Sequence, residues 1–290
     1  MSKLALGTAQ FGLNYGVTNK SGKVSEVELG KILDVALKGG VRTLDTAVSY
    51  GDAESRLGAL DLGDFQIISK IPELNNVPEL ITIGDLIEQS LSRLGVDSIY
   101  AVMLHRVSDL GGSDGDRVWE QMLEAKSRSL VKNIGYSLYS PAELELYFER
   151  FPADIVQVPF NFLDRRFDSA GWLNVLSASD VEVHVRSLFL QGVLLAKQPL
   201  SLPAYFSRWL DSLGDVLAEI DCRFESRAAY CLADAVTSPL IQKVVVGVES
   251  AIQLDEILSA ESCALSENLR WLPLRFEPDN ELINPVNWGR

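Results

Sequence analysis

The sequence predicts an α/β protein, a single-domain (β/α)8 TIM barrel over residues 1–290. Short Val/Ile/Leu-rich runs alternate with longer helical patterns and no composition break interrupts them, which is the sequence form of repeated strand–helix units on a parallel sheet. A chain of 290 residues with 47% apolar content can bury one large core, and barrels of this kind commonly run to about 250 residues. Ionisable groups also end three of the strand-like runs in order, as a site on the carboxyl ends of barrel strands would require.

Strands are expected near 4–9, 42–47, 66–70, 99–105, 132–137, 155–159, 182–187 and 243–247, and their number points to a closed barrel. The first long helix has a capping-box pattern at Ser25-Glu-Val-Glu28 and places Leu29, Ile32, Leu33, Ala36 and Leu37 on one face before Gly39-Gly40 stops it. Leu86, Ser90, Leu91 and Leu94 recur at helical spacing before Gly95. Ser140-Pro141-Ala-Glu143 caps a helix running through Tyr147, with proline at its first position. Between the seventh and eighth strands, residues 191–242 hold Pro199, Pro203, Trp209 and two helical patterns; a long loop and a plain helical insertion are both open readings. Residues 273–290, with Asn280, Pro285 and Trp288, read as an irregular tail.

No stretch of about 18 consecutive apolar residues occurs, and Met1-Ser-Lys-Leu-Ala-Leu-Gly7 runs straight into a strand without a signal-peptide pattern. A soluble, cytoplasmic protein without a membrane partner is expected. The formal net charge of −14 argues against nucleic-acid and anionic-membrane surfaces, which need clustered lysine and arginine. Cys222, Cys231 and Cys263 are widely spaced and lack neighbouring histidines, so buried free thiols are expected and neither a disulfide frame nor a metal site. With no heptad seam and no basic arm, a monomer or weak homodimer is the expectation.

The chemistry-bearing pattern is Asp45-Thr-Ala-Val-Ser-Tyr50-Gly51-Asp-Ala-Glu54, followed by a run ending in Lys70 and another ending in His105. Taken singly, each feature has a structural reading: a helix cap, a turn, a satisfied strand-end histidine. Together and in order they read as a site. Glu54 reads as a capping or pairing residue near the helix that starts there. His184, inside Glu-Val-His-Val, reads as a packed strand residue.

These residues resemble the aldo-keto reductase family: Asp45-Thr46-Ala47, Tyr50-Gly51 and Glu54 match its motif, and Lys70 and His105 match two later catalytic positions. Gly7-Thr8-Ala9, Gly135-Tyr136-Ser137, Gln157-Val158-Pro159 and Val244-Val-Val-Gly247 continue the likeness along the chain. The resemblance implies reduction of an aldehyde or ketone, or the reverse, with NADP(H) or NAD(H) and a small-molecule carbonyl substrate. It makes Tyr50 the acid or base. A free phenol has a pKa near about 10, so a neighbouring cation, Lys70, would lower it toward neutrality; Asp45 would fix that ammonium and His105 would donate to or orient the carbonyl oxygen.

On the cofactor side the resemblance places Gly7, Thr8, Ala9 and Asp45 near the ligand, and Ser137 and Gln157 against the nicotinamide carboxamide. Leu138 stands where the family usually has asparagine. Arg186 occupies the position of a flat side chain that stacks on the nicotinamide, where it either stacks or reaches an anionic group, and Ser187 and Leu188 follow toward the pyrophosphate. Gly247, Val248, Glu249, Gln253 and Glu256 match the adenosine-phosphate loop and helix, although a basic residue is common at Glu249 and asparagine is usual at Ile257. A carboxylate there would repel a 2′-phosphate and accept from a free ribose hydroxyl, which suggests a relaxed or NADH-leaning preference; Lys243 or Arg227 could supply the missing charge. Asp164-Arg165-Arg166 is either a phosphate contact or a solvated loop.

For the substrate pocket the candidates are Phe11, Tyr15, Tyr50, His105 and Tyr139, with Phe160 and Phe162 as further wall or rim packing and Asn14, Asn161 and Arg106 as polar options. A sugar-derived or small polar carbonyl is favoured. Two alternatives remain at this stage: a nicotinamide-binding sensor or partner subunit with little turnover, and a carbohydrate isomerase using the same acid and base without net redox.

Overall fold

The computed structural model describes residues 2–78, 80–197 and 202–288, so Pro199 and Arg290 lie outside the described residues. Eight parallel strands close into a barrel in chain order: β1 Leu4–Gly7, β2 Thr43–Asp45, β3 Gln66–Ile71, β4 Ile99–Leu104, β5 Val131–Ser137, β6 Ile155–Pro159, β7 Glu182–Arg186 and β8 Lys243–Gly247. Closure pairs β1 with β8 through Gly7 and Gly247. The expected strands are all present, with β1 and β2 shorter than the spacing suggested because the chain turns into loop and helix after Gly7 and Asp45.

Successive strand side chains point to opposite faces, and this alternation sorts the sequence. The outer row, including Leu4, Leu6, Leu44, Ile67, Val102, Ile134, Tyr136, Val156, Val183 and Val244, belongs to one apolar core shared with the helices. The inner row begins with a separate fully buried cluster of Ile68, Ala101, Met103 and Ile155. Two residues further along the same strands come Lys70, His105 and Gln157, so the same parity that packs the barrel delivers polar groups to its carboxyl-end mouth.

The helices follow their sequence starts. Those used below are α1 Ala9–Gly12, α2 Glu26–Lys38, α3 Ala53–Gly58 and α4 Ile83–Leu94, then α5 Gly115–Ser127, α6 Pro141–Tyr147, α7 Arg166–Ser169 and α8 Trp172–Ala178. The last are α9 Leu210–Arg223, α10 Arg227–Thr237, α11 Ala251–Ser266 and α12 Asn280–Ile283. Ser140 and Glu143 form the expected capping box of α6. At α2 only half of that motif forms: Ser25 accepts from the Glu28 amide, while the Glu28 carboxylate goes elsewhere.

Between β7 and β8 the chain is helical where described, with a 3-10 segment Ala204–Trp209 leading into α9 and α10. The tail is ordered against it: Trp288 meets Phe206 edge-on at 4.8 Å and its Nε1 donates to the Glu281 carbonyl at 3.0 Å. The expectation of three buried thiols holds for Cys231 alone; Cys222 is exposed on α9, and Cys263 is half-buried at the edge of the core. Among the described residues no helix is long and apolar enough to cross a membrane.

Candidate active site

Asp45 closes β2, Lys70 is the penultimate residue of β3, His105 follows β4 directly, and Tyr50 lies in the turn between β2 and α3. Lys70 is 1% exposed and Asp45 2%, so the ammonium needs a partner, and its Nζ donates to Asp45 Oδ1 at 2.6 Å and to the Thr46 carbonyl at 3.1 Å. From across the barrel the Gln157 Nε2 donates to the other carboxylate oxygen at 2.7 Å. The Lys70 Nζ lies 5.4 Å from the centre of the Tyr50 ring, and the His105 ring meets Tyr50 edge-on at 6.0 Å. The four sequence-predicted residues therefore converge.

The electrostatics differ from the sequence expectation. Tyr50 is held well above the ordinary phenol range, first by burial and then by the Asp45 carboxylate, with Tyr15 and Tyr139 adding to it and Arg186 acting in the opposite sense. Lys70 does not bring the phenol down, because its charge is committed to Asp45; burial pushes Lys70 itself below its usual value against that carboxylate's pull. His105 is lowered from 6.5 to about 3, by burial first and then by Lys70 and Arg186. Around neutral pH the imidazole is thus neutral, a hydrogen-bond donor rather than an acid.

Glu54 takes no place at the mouth. It is 2% exposed and accepts from Ser69 Oγ at 2.5 Å, Ser90 Oγ at 2.9 Å and Arg93 Nε at 2.7 Å, locking α3 to β3 and α4 behind the Tyr50 turn. His184 is buried in β7, with Nε2 2.7 Å from Glu182 Oε1.

A family profile described as "Aldo/keto reductase family" matches residues 3–268. The chain belongs to the aldo/keto reductase family. It is an oxidoreductase by that membership, which implies nicotinamide-dependent carbonyl reduction and a small-molecule carbonyl substrate. A search of the curated proteins found no match. Among solved structures, the holo form of an aldo-keto reductase from Bacillus halodurans shares 20% identity at a TM-score of 0.71, covering 94% of each chain. Its apo form gives a TM-score of 0.66 at 20% identity, covering 94% of this chain and 93% of that one. A Pseudomonas aeruginosa protein provisionally assigned as an aldo-keto reductase shares 21% identity at a TM-score of 0.67, covering 91% of this chain and 90% of its own. These likenesses speak to the barrel.

At the two positions that the resemblance assigned to a nicotinamide carboxamide, Ser137 and Gln157 are register partners at the ends of β5 and β6, 2% and 1% exposed. A hydroxyl beside a side-chain amide supplies both a donor and an acceptor, which is what a carboxamide needs. Leu138 lies on the outer parity two residues beyond Tyr136, fully buried, so its side chain belongs to the helix-facing core. Thr8 is fully buried with its Oγ1 donating to the Asp45 carbonyl at 3.1 Å, which ties the exit of β1 to that of β2; Ala9 is likewise buried.

After β7, Ser187 takes a left-handed φ of 67° and Leu188 is buried, 1% exposed as a whole residue. Arg186 stacks on a protein ring, its guanidinium carbon 4.4 Å from the centre of Tyr139. After β8, Val248 is buried and Glu256 exposed, while Ile257 packs in the core. The loop amides before and at the start of α11 already have partners: Glu249 N–H donates to Gln253 Oε1 at 2.7 Å, Gln253 N–H to Ser250 Oγ at 3.2 Å, and Ala251 N–H to Glu28 Oε1 at 2.8 Å. Glu28 escaped sequence reasoning because its motif looked local, and nothing in the sequence marks a bond from α2 to α11.

Several expectations are corrected. Phe11 is fully buried beneath α1 and lines no pocket, because its position on that short helix faces the core. Of the two readings open for Phe160 and Phe162, packing is the one found: they are buried against Trp271 and Tyr230. Asn161 is buried and holds the turn after β6. Arg166 is paired with Asp164 and Arg165 lies over the Trp271 ring, so that basic run is packed against the protein and is not a solvated loop. Lys243 opens β8 at the end of the barrel opposite Gly247, and Arg227 is paired with Asp221, so neither offsets Glu249. Tyr15 and Tyr139, by contrast, are felt electrostatically at Tyr50.

Proposed function

We propose that this aldo-keto reductase reduces an aldehyde or ketone at the mouth of the barrel, with Tyr50 as the proton donor. The observation that carries the reading is the convergence of Tyr50, His105 and the buried Lys70–Asp45 pair at one strand-end layer. A reduced nicotinamide, when bound beside Ser137 and Gln157, supplies hydride to the carbonyl carbon. Tyr50 delivers the proton to the oxygen on which charge develops. Its raised pKa keeps it protonated around neutrality, the form that reduction requires. Neutral His105 donates a hydrogen bond to the same oxygen, and the Lys70–Asp45–Gln157 chain fixes the floor beneath them.

Replacing Tyr50 with Phe should lower kcat for aldehyde reduction by at least about 100-fold while leaving cofactor affinity within roughly twofold. Undiminished turnover in that variant would refute the role of the phenol. The same experiment separates two rivals: a nicotinamide sensor would show no single-turnover oxidation of bound cofactor by any aldehyde, and an isomerase would convert substrate with no net cofactor consumption.

The cofactor form this reading favours is NADH. Glu249 stands in the adenosine loop, and Glu28 already places a carboxylate on the first amide of α11. A 2′-phosphate arriving there would meet like charge at an occupied helix start. Titration of the purified protein should show tighter binding of NADH than of NADPH, and the reverse order would sink the assignment.

A further inference from the structure

Two arginines lie over one tyrosine ring at the mouth. The Arg106 guanidinium carbon lies 4.3 Å from the centre of the Tyr139 ring, and that of Arg186 lies 4.4 Å from the same centre. The two cations differ in company. Arg106 is neutralised by Glu73, its Nε donating to Glu73 Oε1 at 2.7 Å. Arg186 donates to uncharged oxygens, the Leu138 carbonyl at 2.9 Å and the Ser187 hydroxyl at 3.3 Å, and among the described residues no carboxylate pairs with it.

The charge of Arg186 is felt throughout the candidate site: it lowers the phenol of Tyr50, the imidazole of His105 and the ammonium of Lys70. Lys70 spends its own charge on Asp45. What remains uncompensated beside the place where a carbonyl would sit is one planar guanidinium. Two bonds leave further N–H donors free, and the aromatic face holds the plane in a fixed attitude, so the ordering cost of recruiting a ligand is low. One unpaired, oriented guanidinium matches a carboxylate in charge and in shape.

We propose that Arg186 anchors a carboxylate of the substrate, so that the enzyme acts on an aldehyde or ketone acid. The proposal rests on the reading that Tyr50 protonates a carbonyl. It assigns Arg186 to the substrate and not to the cofactor. Neutralising Arg186 in the complex also removes an influence that favours the phenolate, which keeps the proton on Tyr50 until hydride arrives.

The test compares 4-oxobutanoate with its methyl ester, and glyceraldehyde 3-phosphate with glyceraldehyde, as substrates of the wild type, Arg186→Gln and Arg186→Lys. We expect kcat/KM of the wild type to favour the free acid over the ester by at least about tenfold, Arg186→Gln to bring the pair within roughly twofold, and Arg186→Lys to keep part of the preference. Equal use of acid and ester by the wild type, a preference that survives in Arg186→Gln, or a preference confined to the phosphorylated pair would overturn the assignment. NADH affinity is measured in the same proteins: a loss of about tenfold or more in Arg186→Gln with the acid preference intact makes it a cofactor residue. Should no aldehyde be turned over, the reading at Tyr50 fails, and calorimetric binding of 4-hydroxybutanoate against its methyl ester to the NADH-loaded protein decides the anchor separately. Tighter binding of the acid that Arg186→Gln abolishes supports it; equal binding removes it.

Discussion

His105 shows how one residue's surroundings set its part. Placed by the inner parity of β4 beside Lys70, Arg106 and Arg186, its ring is held neutral, with a pKa of about 3 against an ordinary 6.5. Because the folded value lies below the unfolded one, the unfolded chain takes up the proton first as pH falls. The stability contributed by the neutral ring is therefore complete above about pH 6.5 and is lost progressively toward pH 3. Denaturant unfolding across that window should show His105→Gln losing less stability than the wild type, by about 3 kcal/mol. Identical acid limbs in the two proteins would remove the argument. Asp45, Tyr50, Lys70 and His105 were legible in the sequence because each ends or follows a strand-like run and strand ends are where a barrel keeps its reactive groups. The company of Arg186 was not, since Tyr139 and Arg106 reach it from the loops after β5 and β4.

At the scale of elements, helix starts were readable where the cap is local: Ser25 at α2 accepts from the Glu28 amide and Glu143 at α6 accepts from the Ser140 amide, both within their own turn. The bond from Glu28 on α2 to Ala251 on α11 spans 223 residues of sequence, and neither helix announces it. It gives α2 two duties: to pack Leu29, Ile32 and Leu33 against the barrel and to fill a neighbour's anion-attracting end. Exchanging Glu28 for Gln together with Glu249 for Lys should raise NADPH affinity relative to NADH by about tenfold or more, read by equilibrium binding. An unchanged ratio would mean that the start of α11 does not sense the 2′ position.

For the whole molecule, the barrel was foreseeable from period and length alone, whereas the tail was not. Residues 273–288 have no strong periodicity, and their order comes from Trp271 and Trp288 finding partners on α10 and on the 3-10 segment before α9: Trp271 Nε1 donates to the Tyr230 carbonyl at 2.7 Å, and Trp288 sits against Phe206. We expect this layer to open apart from the strands. Trp288→Ala, which removes a side chain 7% exposed, should lower the local opening free energy of residues 202–223 and 273–288 by about 3 kcal/mol in hydrogen exchange while leaving the barrel strands protected. Equal loss of protection in β3 and β4 would show the tail to be part of the barrel's own cooperative unit.

The strand alternation also governs how this enzyme can change over generations. Asp45, Lys70, His105 and Gln157 share the inner parity, so a one-residue insertion ahead of any of them within its strand would trade that residue for a core side chain and spill the core into the lumen. The loops that carry Tyr50, Tyr139 and the Arg106 side chain obey no such rule. Heritable variation in length is thereby steered into the rim, and the proton-handling floor can stay put while the rim is rebuilt for a different molecule.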